Sequence, residues 1–382
     1  CFAENNLGAS IDLTAFEEKD LIKILFAENA GIVFQAAKNA DVESILTENN
    51  IAFFNIGTTT ETADLEIKKD SIEIGLNISS LRRKWFQTSY LLDQQQTAKG
   101  LAGARFANFD VQPLTYSFPK QFTGIKPEID ATKPRPKAAI LREKGSNSER
   151  EMANAMYLAG FDVKDVHMTD LITGRETLED IQFIGAVGGF SNSDVLGSAK
   201  GWAGAFLYNE KANTALKNFF ARPDTLSVGI CNGCQLFVEL DLLNPEHVQK
   251  PVMQHNDSNK HESGFTSVTI AENDSVMLST LSGATLGVWI SHGEGKFNLP
   301  LDEENYKIVG KYGYEAYPAS PNGSSFNTAM MTDKTGRHLV TMPHIERSIF
   351  QWNWANYPKG RQDEVSPWIE AFVNARLWIE KQ

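Results

Sequence analysis

The stretch Thr225–Leu240 places one cysteine where a strand must turn into a helix. The apolar run TLSVGI leads into Cys231, Asn232 and Gly233, and CQLFVEL follows as the opening of a helix. The central residue of so sharp a turn has a strained backbone and an exposed side chain. It needs small neighbours, which Gly229 and Gly233 supply. A helix N-terminus behind Cys231 presents free amides and a positive dipole end, and both favour a negative sulfur. The Asn232 amide can face an oxyanion there. Against this, a free cysteine is most often a small buried apolar group. Cys231 and Cys234 also form a C-x-x-C, as in redox pairs and half of many zinc sites. Neither alternative accounts for the bracketing glycines. Cys234 lies one helical turn on, and its expected role is packing.

A thiolate nucleophile needs a base, and the base needs an orienting group. The candidates are His344 and Glu346 in HLVTMPHIERSIF, where an apolar strand would carry the pair to a sheet end. An extended backbone would put Glu346 on the same side as His344. A second oxyanion donor would come from Gly188, Gly189 and Phe190, where the strand FIGAV ends in glycines that let amides approach a ligand.

The elements that hold these residues begin at Lys137. Strands KAAILRE, DVKDVHM, FIGAVGGF and TLSVGI alternate with helices, the pattern of an α/β fold with a parallel sheet. Past residue 264 the chain turns strand-rich and ends in the helix SPWIEAFVNARLWIEK, with Ser366 as its cap. Residues 96–136 carry Gly, Pro and aromatics without period and read as an extended linker. Residues 1–95 read as an α+β block. In it DLIKILFAENAGIVFQAA suggests a helix and then a strand. IAFFNIGTTT and SIEIGLNIS suggest strands about an acidic turn at Asp64, and SSLRRKWFQTSYLLDQQQ a helix capped by Ser79 or Ser80.

The 382 residues carry a net charge of −12, which repels polyanions and argues against nucleic acid as a partner. No apolar run is long enough to span a membrane. Three cysteines make no disulfide framework, so the cytoplasm is the expected compartment. The start, CFAENNLGAS, lacks an initiator Met and reads as cut from a longer chain.

In this order, Gly229–Gly233 as G-x-C-x-G and Pro343–Arg347 as P-H-x-E-R resemble class I glutamine amidotransferases. The resemblance is closer to the C-terminal region of the large single-chain phosphoribosylformylglycinamidine synthase family. It rests on GGFS-x-x-D at Gly188–Asp194, G-I-C-N-G-C-Q at Gly229–Gln235, H-G-E-G at His292–Gly295 and S-P-W at Ser366–Trp368. That resemblance implies a flavodoxin-like, mostly parallel sheet flanked by helices over 137–382, preceded by the truncated end of a synthetase domain. It implies that Cys231, His344 and Glu346 hydrolyse glutamine. Gly188, Gly189, Phe190, Asn232 and Gln235 would hold the oxyanion and substrate. His292, Glu294, Asn256 and Ser258 would line the pocket or an interface. The ammonia would pass to the synthetase domain, which uses ATP and Mg2+ to convert formylglycinamide ribonucleotide to its amidine; no cofactor or metal is expected here. The family's N-x-S-x-R-F-E reads Asn256-Asp257-Ser258-Asn259-Lys260-His261-Glu262, so a guanidinium and an aromatic ring are replaced. A cysteine hydrolase or chaperone-like relative on the same scaffold is the alternative.

Overall fold

The computed structural model describes residues 7–382. They fall into two compact units that meet in sequence between Asp93 and Gln94. The first unit contains β1 (Gly8–Asp12), α1 (Leu21–Phe26), α2 (Val42–Glu48), β2 (Gly57–Thr60), β3 (Asp64–Lys69), β4 (Ile72–Asn77) and α3 (Ile78–Asp93). Its sheet has the order β2-β1-β3-β4, with β1 and β3 parallel. Leu13, Leu21 and Ile67 form a small core.

Several local expectations for this unit change. Asp64 opens a strand, and the β3–β4 reversal lies at Asp70, whose φ is 52°. Ile32, Val33 and Phe34 are exposed and form no strand, since no ladder neighbour flanks them among the described residues. Helix α3 starts before both serines. The Asn77 side chain accepts from the Ser80 amide at 3.0 Å and takes the capping role.

The second unit contains α4 (Leu101–Asn108), β5 (Lys137–Arg142), α5 (Glu149–Ala159), β6 (Asp162–His167), α6 (Met168–Thr173), β7 (Phe183–Ala186), α7 (Lys200–Tyr208), α8 (Glu210–Ala221), β8 (Leu226–Ile230) and α9 (Asn232–Glu239). It continues with β9 (Val252–Gln254), β10 (Glu262–Ile270), β11 (Thr285–His292), β12 (Lys296–Asn298), β13 (Lys307–Tyr312), β14 (Thr328–Thr332), β15 (His338–Thr341) and α10 (Ile369–Ile379). The stretch 96–136 is thus not structureless. Ala102 is buried on α4, which anchors the helix to the rest of the unit.

Nine strands form one sheet, in the order β11-β10-β13-β14-β15-β8-β7-β5-β6. The half from β15 to β6 is parallel, with the 2-1-3-4-5 order of flavodoxin-like sheets. Right-handed crossovers then put α5 and α10 on one face and α6 to α9 on the other. Every residue of β7, β8 and β15 is buried, as strands covered on both faces require. The expected α/β class with a helix-flanked parallel sheet is present, and the four strands beyond β15 extend it in antiparallel fashion. That extension curls back on itself. Trp289 of β11 bridges to His344, just past the end of β15. The fully buried Trp368 fixes this edge by donating its indole N–H to the Gly287 carbonyl at 2.8 Å, which gives the S-P-W motif its use.

At the opposite end of β15, His338 is buried, with Nδ1 2.9 Å from Ser227 Oγ. Burial pushes its imidazole from 6.5 down to about 4, with Asp333 pulling the other way. The unfolded chain therefore takes up this proton near 6.5 and the folded chain only near 4. The associated stability is intact above 6.5 and is lost as pH falls through that window. Urea unfolding of His338→Gln should show a shallower acid limb than the parent chain. An identical limb would show that this histidine does not titrate as described.

Candidate active site

Strands β7, β8 and β15 are neighbours, and their carboxyl ends deliver the three expected clusters to one place. Cys231 follows β8 directly, with φ 53° and ψ −105°, a conformation that L residues avoid. Its amide donates to the Thr341 carbonyl at 2.8 Å, and α9 starts at the next residue. A Cβ on Gly229 would lie 2.5 Å from the Gly233 carbonyl oxygen. One on Gly233 would lie 2.1 Å from that of Ala186. The two glycines are therefore contact points between the helix start and two strands. The cysteine itself is only 5% exposed. Contrary to the simple elbow expectation, it faces a cavity rather than open solvent.

The His344 ring and Cys231 meet across Gly188. A Cβ there would be 2.8 Å from His344 Cε1 and 3.4 Å from Cys231 Cβ. His344 Nδ1 lies 2.7 Å from Glu346 Oε1, and both side chains are buried. The carboxylate gets there through a short 3-10 turn at Ile345–Arg347, not the extended backbone expected. With Nδ1–H given to Glu346, Nε2 is the ring nitrogen left for chemistry. Burial works against an imidazolium here, but the Glu346 charge and the Cys231 sulfur outweigh it, and the group is raised to about 10. Burial likewise opposes the Glu346 charge, yet the His344 cation keeps it lowered. Cys234 is fully enclosed and burial pushes its thiol up, as suits a packing residue.

Among the described residues, the Gly189 and Asn232 amides have no protein acceptor, and Gly189 has φ 113°. The Phe190 amide, expected to be a third donor, is spent on the Gly145 carbonyl at 2.9 Å. That bond and Asn147 N to Gly188 O, 2.8 Å, fix the glycine turn. Asn232 Oδ1 accepts from the Ser191 amide at 3.3 Å, and its Nδ2 donates to Gln235 Oε1 at 3.0 Å. Gln235 Nε2 donates to the Glu294 carbonyl at 2.8 Å. The two amide side chains thus lace the elbow to the glycine turn and the H-G-E-G loop.

His292 is buried at the end of β11, with Nδ1 3.1 Å from Asn256 Oδ1. Burial, then the nearby His344 charge, pushes it from 6.5 down to about 3, so it is neutral. Asn256 is a hub rather than a pocket tip. Its Nδ2 donates to the carbonyls of His292 and Lys260, and its Oδ1 also accepts from the Gly295 amide. Ser258 is buried and lines neither cavity.

A cavity of about 210 Å³ opens beside Cys231, lined by Gly189, Phe190, Gln235, His261, His292 and Glu294 among others. It adjoins a larger one of about 690 Å³ and shares Asp194, His255, Asn259 and Glu294 with it. Burial and the Glu294 charge raise Asp194, although Ser198 hydrogen-bonds it. Sequence reasoning did not single out Asp194 or Ser291 for the site. Asp194 was legible as the last residue of GGFS-x-x-D. Ser291, whose carbonyl lies 3.4 Å from Cys231 Sγ, gave no signal. Among the described residues no group of three His, Cys, Asp or Glu side chains could hold a metal ion.

Gly233→Ala forces a methyl into the Ala186 backbone. It should cost at least the roughly 1–3 kcal/mol typical of overpacking, read from urea unfolding. The His344–Glu346 pair carries a pH signature. The raised His344 value adds stability below 6.5 that is lost as pH rises through about 10. The lowered Glu346 value adds stability above 4.5 that is lost as pH falls through its folded value. In Glu346→Gln the imidazole titration, followed by NMR, should drop toward the ordinary range. The stability gap to the parent should be widest near pH 6.5 and narrow toward pH 10. An unmoved titration would contradict this pairing.

Residues 135–379 match the CobB/CobQ-like glutamine amidotransferase domain family. Over 404 residues the chain is 37% identical to an Arabidopsis thaliana protein named probable phosphoribosylformylglycinamidine synthase, chloroplastic/mitochondrial. The match covers 98% of this chain and 28% of that one. It is 34% identical to the human phosphoribosylformylglycinamidine synthase, over 98% of this chain and 30% of the relative. The chain therefore spans less than a third of the length of these relatives. The solved structure of PurLQS from Thermotoga maritima aligns with 63% of this chain and 98% of that one, at 22% identity and a TM-score of 0.49. With the family matched over more than half its length, around a cysteine, histidine and glutamate brought together at three adjacent strand ends, the chain belongs to the CobB/CobQ-like glutamine amidotransferase family.

Proposed function

We propose that the second unit is a glutaminase and that it serves as the ammonia-producing part of a phosphoribosylformylglycinamidine synthase. The observation that carries the reading is the buried Cys231–His344–Glu346 arrangement beside two unpartnered amides. The Cys231 thiol passes its proton to the neighbouring His344 ring, and the resulting thiolate attacks the side-chain amide carbon of glutamine, forming the C–S bond as the carbonyl becomes an oxyanion. The Gly189 and Asn232 amides hold that charge. His344, protonated beside Glu346, gives its proton to the nitrogen as the C–N bond breaks and ammonia leaves. The neutral ring then takes a proton from water, hydroxide attacks the thioester, and the C–S bond breaks to release glutamate.

The remaining chemistry lies with a synthetase. There ATP and Mg2+ would activate the amide of formylglycinamide ribonucleotide for attack by the ammonia. The cytoplasm remains the proposed compartment, and no described helix is long and apolar enough to cross a membrane.

An electrophilic glutamine analogue such as 6-diazo-5-oxo-L-norleucine should label Cys231, located by peptide mass spectrometry. In the full-length enzyme, Cys231→Ala should cut glutamine-dependent synthesis by roughly 10³-fold or more and leave ammonia-dependent synthesis in place. Labelling at Cys234, or equal loss of both activities, would reject the assignment.

A further inference from the structure

We propose that α4 and the residues leading into it, through Lys99 just before the helix and Arg105 within it, position the wall of the substrate pocket and so set the affinity for glutamine. This rests on the glutamine reading of the pocket. The wall is the loop from Asn256 to Glu262. Its residues Asn259, Lys260 and His261 line the cavity beside Cys231. His261 Nε2 lies 2.9 Å from Ser291 Oγ, and the carbonyl of that serine is the Cys231 neighbour. The wall therefore touches the nucleophile's surroundings through one residue.

The base of the loop is held from within by the Asn256 hub. The Asp257 amide donates to the Asn322 carbonyl at 3.1 Å and Glu262 pairs with His292 in the β10–β11 ladder, and the segment around α4 adds further holds. The Ala98 amide donates to the Ser258 carbonyl at 3.0 Å. The Lys99 ammonium lies 2.6 Å from Asp257 Oδ1, where Lys296 also donates at 2.9 Å. On the far side, Arg105 Nη2 donates to Glu262 Oε2 at 2.8 Å, while the Tyr317 hydroxyl donates to Oε1 at 2.9 Å. The same guanidinium stacks over the Tyr317 ring at 4.8 Å. The grips fall before and after the three lining residues. Between them Asn259 turns the chain with φ 55°, the left-handed region that Asn adopts more readily than other non-glycine residues.

The two grips differ in kind. Glu262 is only 8% exposed, so taking Arg105 away leaves a carboxylate in a dry place with one hydroxyl donor. The Lys99 pair is open to water and contributes little to stability. Its place at the loop's other shoulder is therefore a matter of position.

The test uses the 382-residue chain with Arg105→Met, Arg105→Lys and Lys99→Met. Two readouts are taken. One is amide hydrogen exchange over 257–262; the other is the rate of Cys231 modification by 6-diazo-5-oxo-L-norleucine against that by iodoacetamide. Arg105→Met should speed exchange of the wall and slow modification by the analogue about tenfold, with the iodoacetamide rate within about twofold of the parent. Arg105→Lys should recover part of the loss. Lys99→Met should act in the same direction and more weakly, since Lys296 keeps Asp257. Should Arg105→Met fail to fold, Lys99→Met carries the test. Parental exchange in the variants would overturn the proposal, as would a looser wall with unchanged analogue modification. Equal slowing of both reagents would overturn it too, because it would mean collapse of the site at large. If the parent chain reacts with iodoacetamide and ignores the analogue, the glutamine reading fails, and the exchange data still decide whether α4 holds the wall.

Discussion

Everything at this site depends on the close approach of α9 to β8 and β7. The helix start sits so near the strands that neither Gly229 nor Gly233 has room for a methyl group, and the residue between them is pushed to φ 53°. A left-handed backbone at a non-glycine residue costs on the order of 1–3 kcal/mol. The surrounding sheet, buried along the whole of β7, β8 and β15, holds the turn in spite of that cost. The conformation frees the Asn232 amide, which is too early in the helix to have an intrahelical partner. It also aims the sulfur at the end of β15, where His344 stands. One packing constraint thus sets the conformation of Cys231, the free Asn232 amide and the approach to His344, the parts that the proposed glutaminase would use as nucleophile, oxyanion donor and base.

The electrostatics follow from the same enclosure. His344 and His292 are both buried near the thiol, and burial acts on both to remove a proton. Their partners separate them. His344 faces a carboxylate at 2.7 Å and is raised, whereas His292 faces a carboxamide and is lowered. A dry site magnifies the difference between a charged and a neutral neighbour. The result is one imidazole able to give a proton and one fixed as neutral structure within the same few residues of the pocket. The positive charge on His344 is itself one reason His292 stays neutral.

The parts legible in the sequence are those whose physics is local. Fully buried parallel strands read as unbroken apolar runs, so TLSVGI and HLVTM were visible, and a cysteine between glycines at a strand-to-helix joint announced the elbow. Long-range pairing was hidden. Nothing in FIGAVGGF shows that Gly145 takes the Phe190 amide and leaves only the Gly189 and Asn232 amides free for the proposed oxyanion site. Asn256 and His292 stand far apart in the chain, and only the β10–β11 pairing, in which Glu262 lies opposite His292, brings their loops together. Helix α4 was missed for a related reason. Its sequence LAGARFAN is short and glycine-containing, and its stability comes from contacts made far along the chain, among them Glu262 and Tyr317.

The antiparallel half of the sheet has a role that the flavodoxin-like half does not fill. Parallel strand ends bring together Cys231, His344 and the free amides of the proposed site, but they leave one side of a cleft open. The four added strands curl until β11 reaches His344 through Trp289 and offers Ser291, His292 and the Gly293–Gly295 turn as the facing wall. The buried Trp368 ties that edge strand to the start of α10. The loop 256–262 then closes the gap between the two walls, and it is gripped by Ala98, Lys99 and Arg105 from the segment that precedes the sheet in the chain, which also pairs with the start of β11 through Ser117 and Thr285. Chemistry fixed by rigid strand ends and access governed by a loop with external supports are thus separable in this fold. A change that slackens the supports acts on what enters the cavity, while the Cys231–His344–Glu346 geometry, held by β8, β15 and their turn, stays as it is.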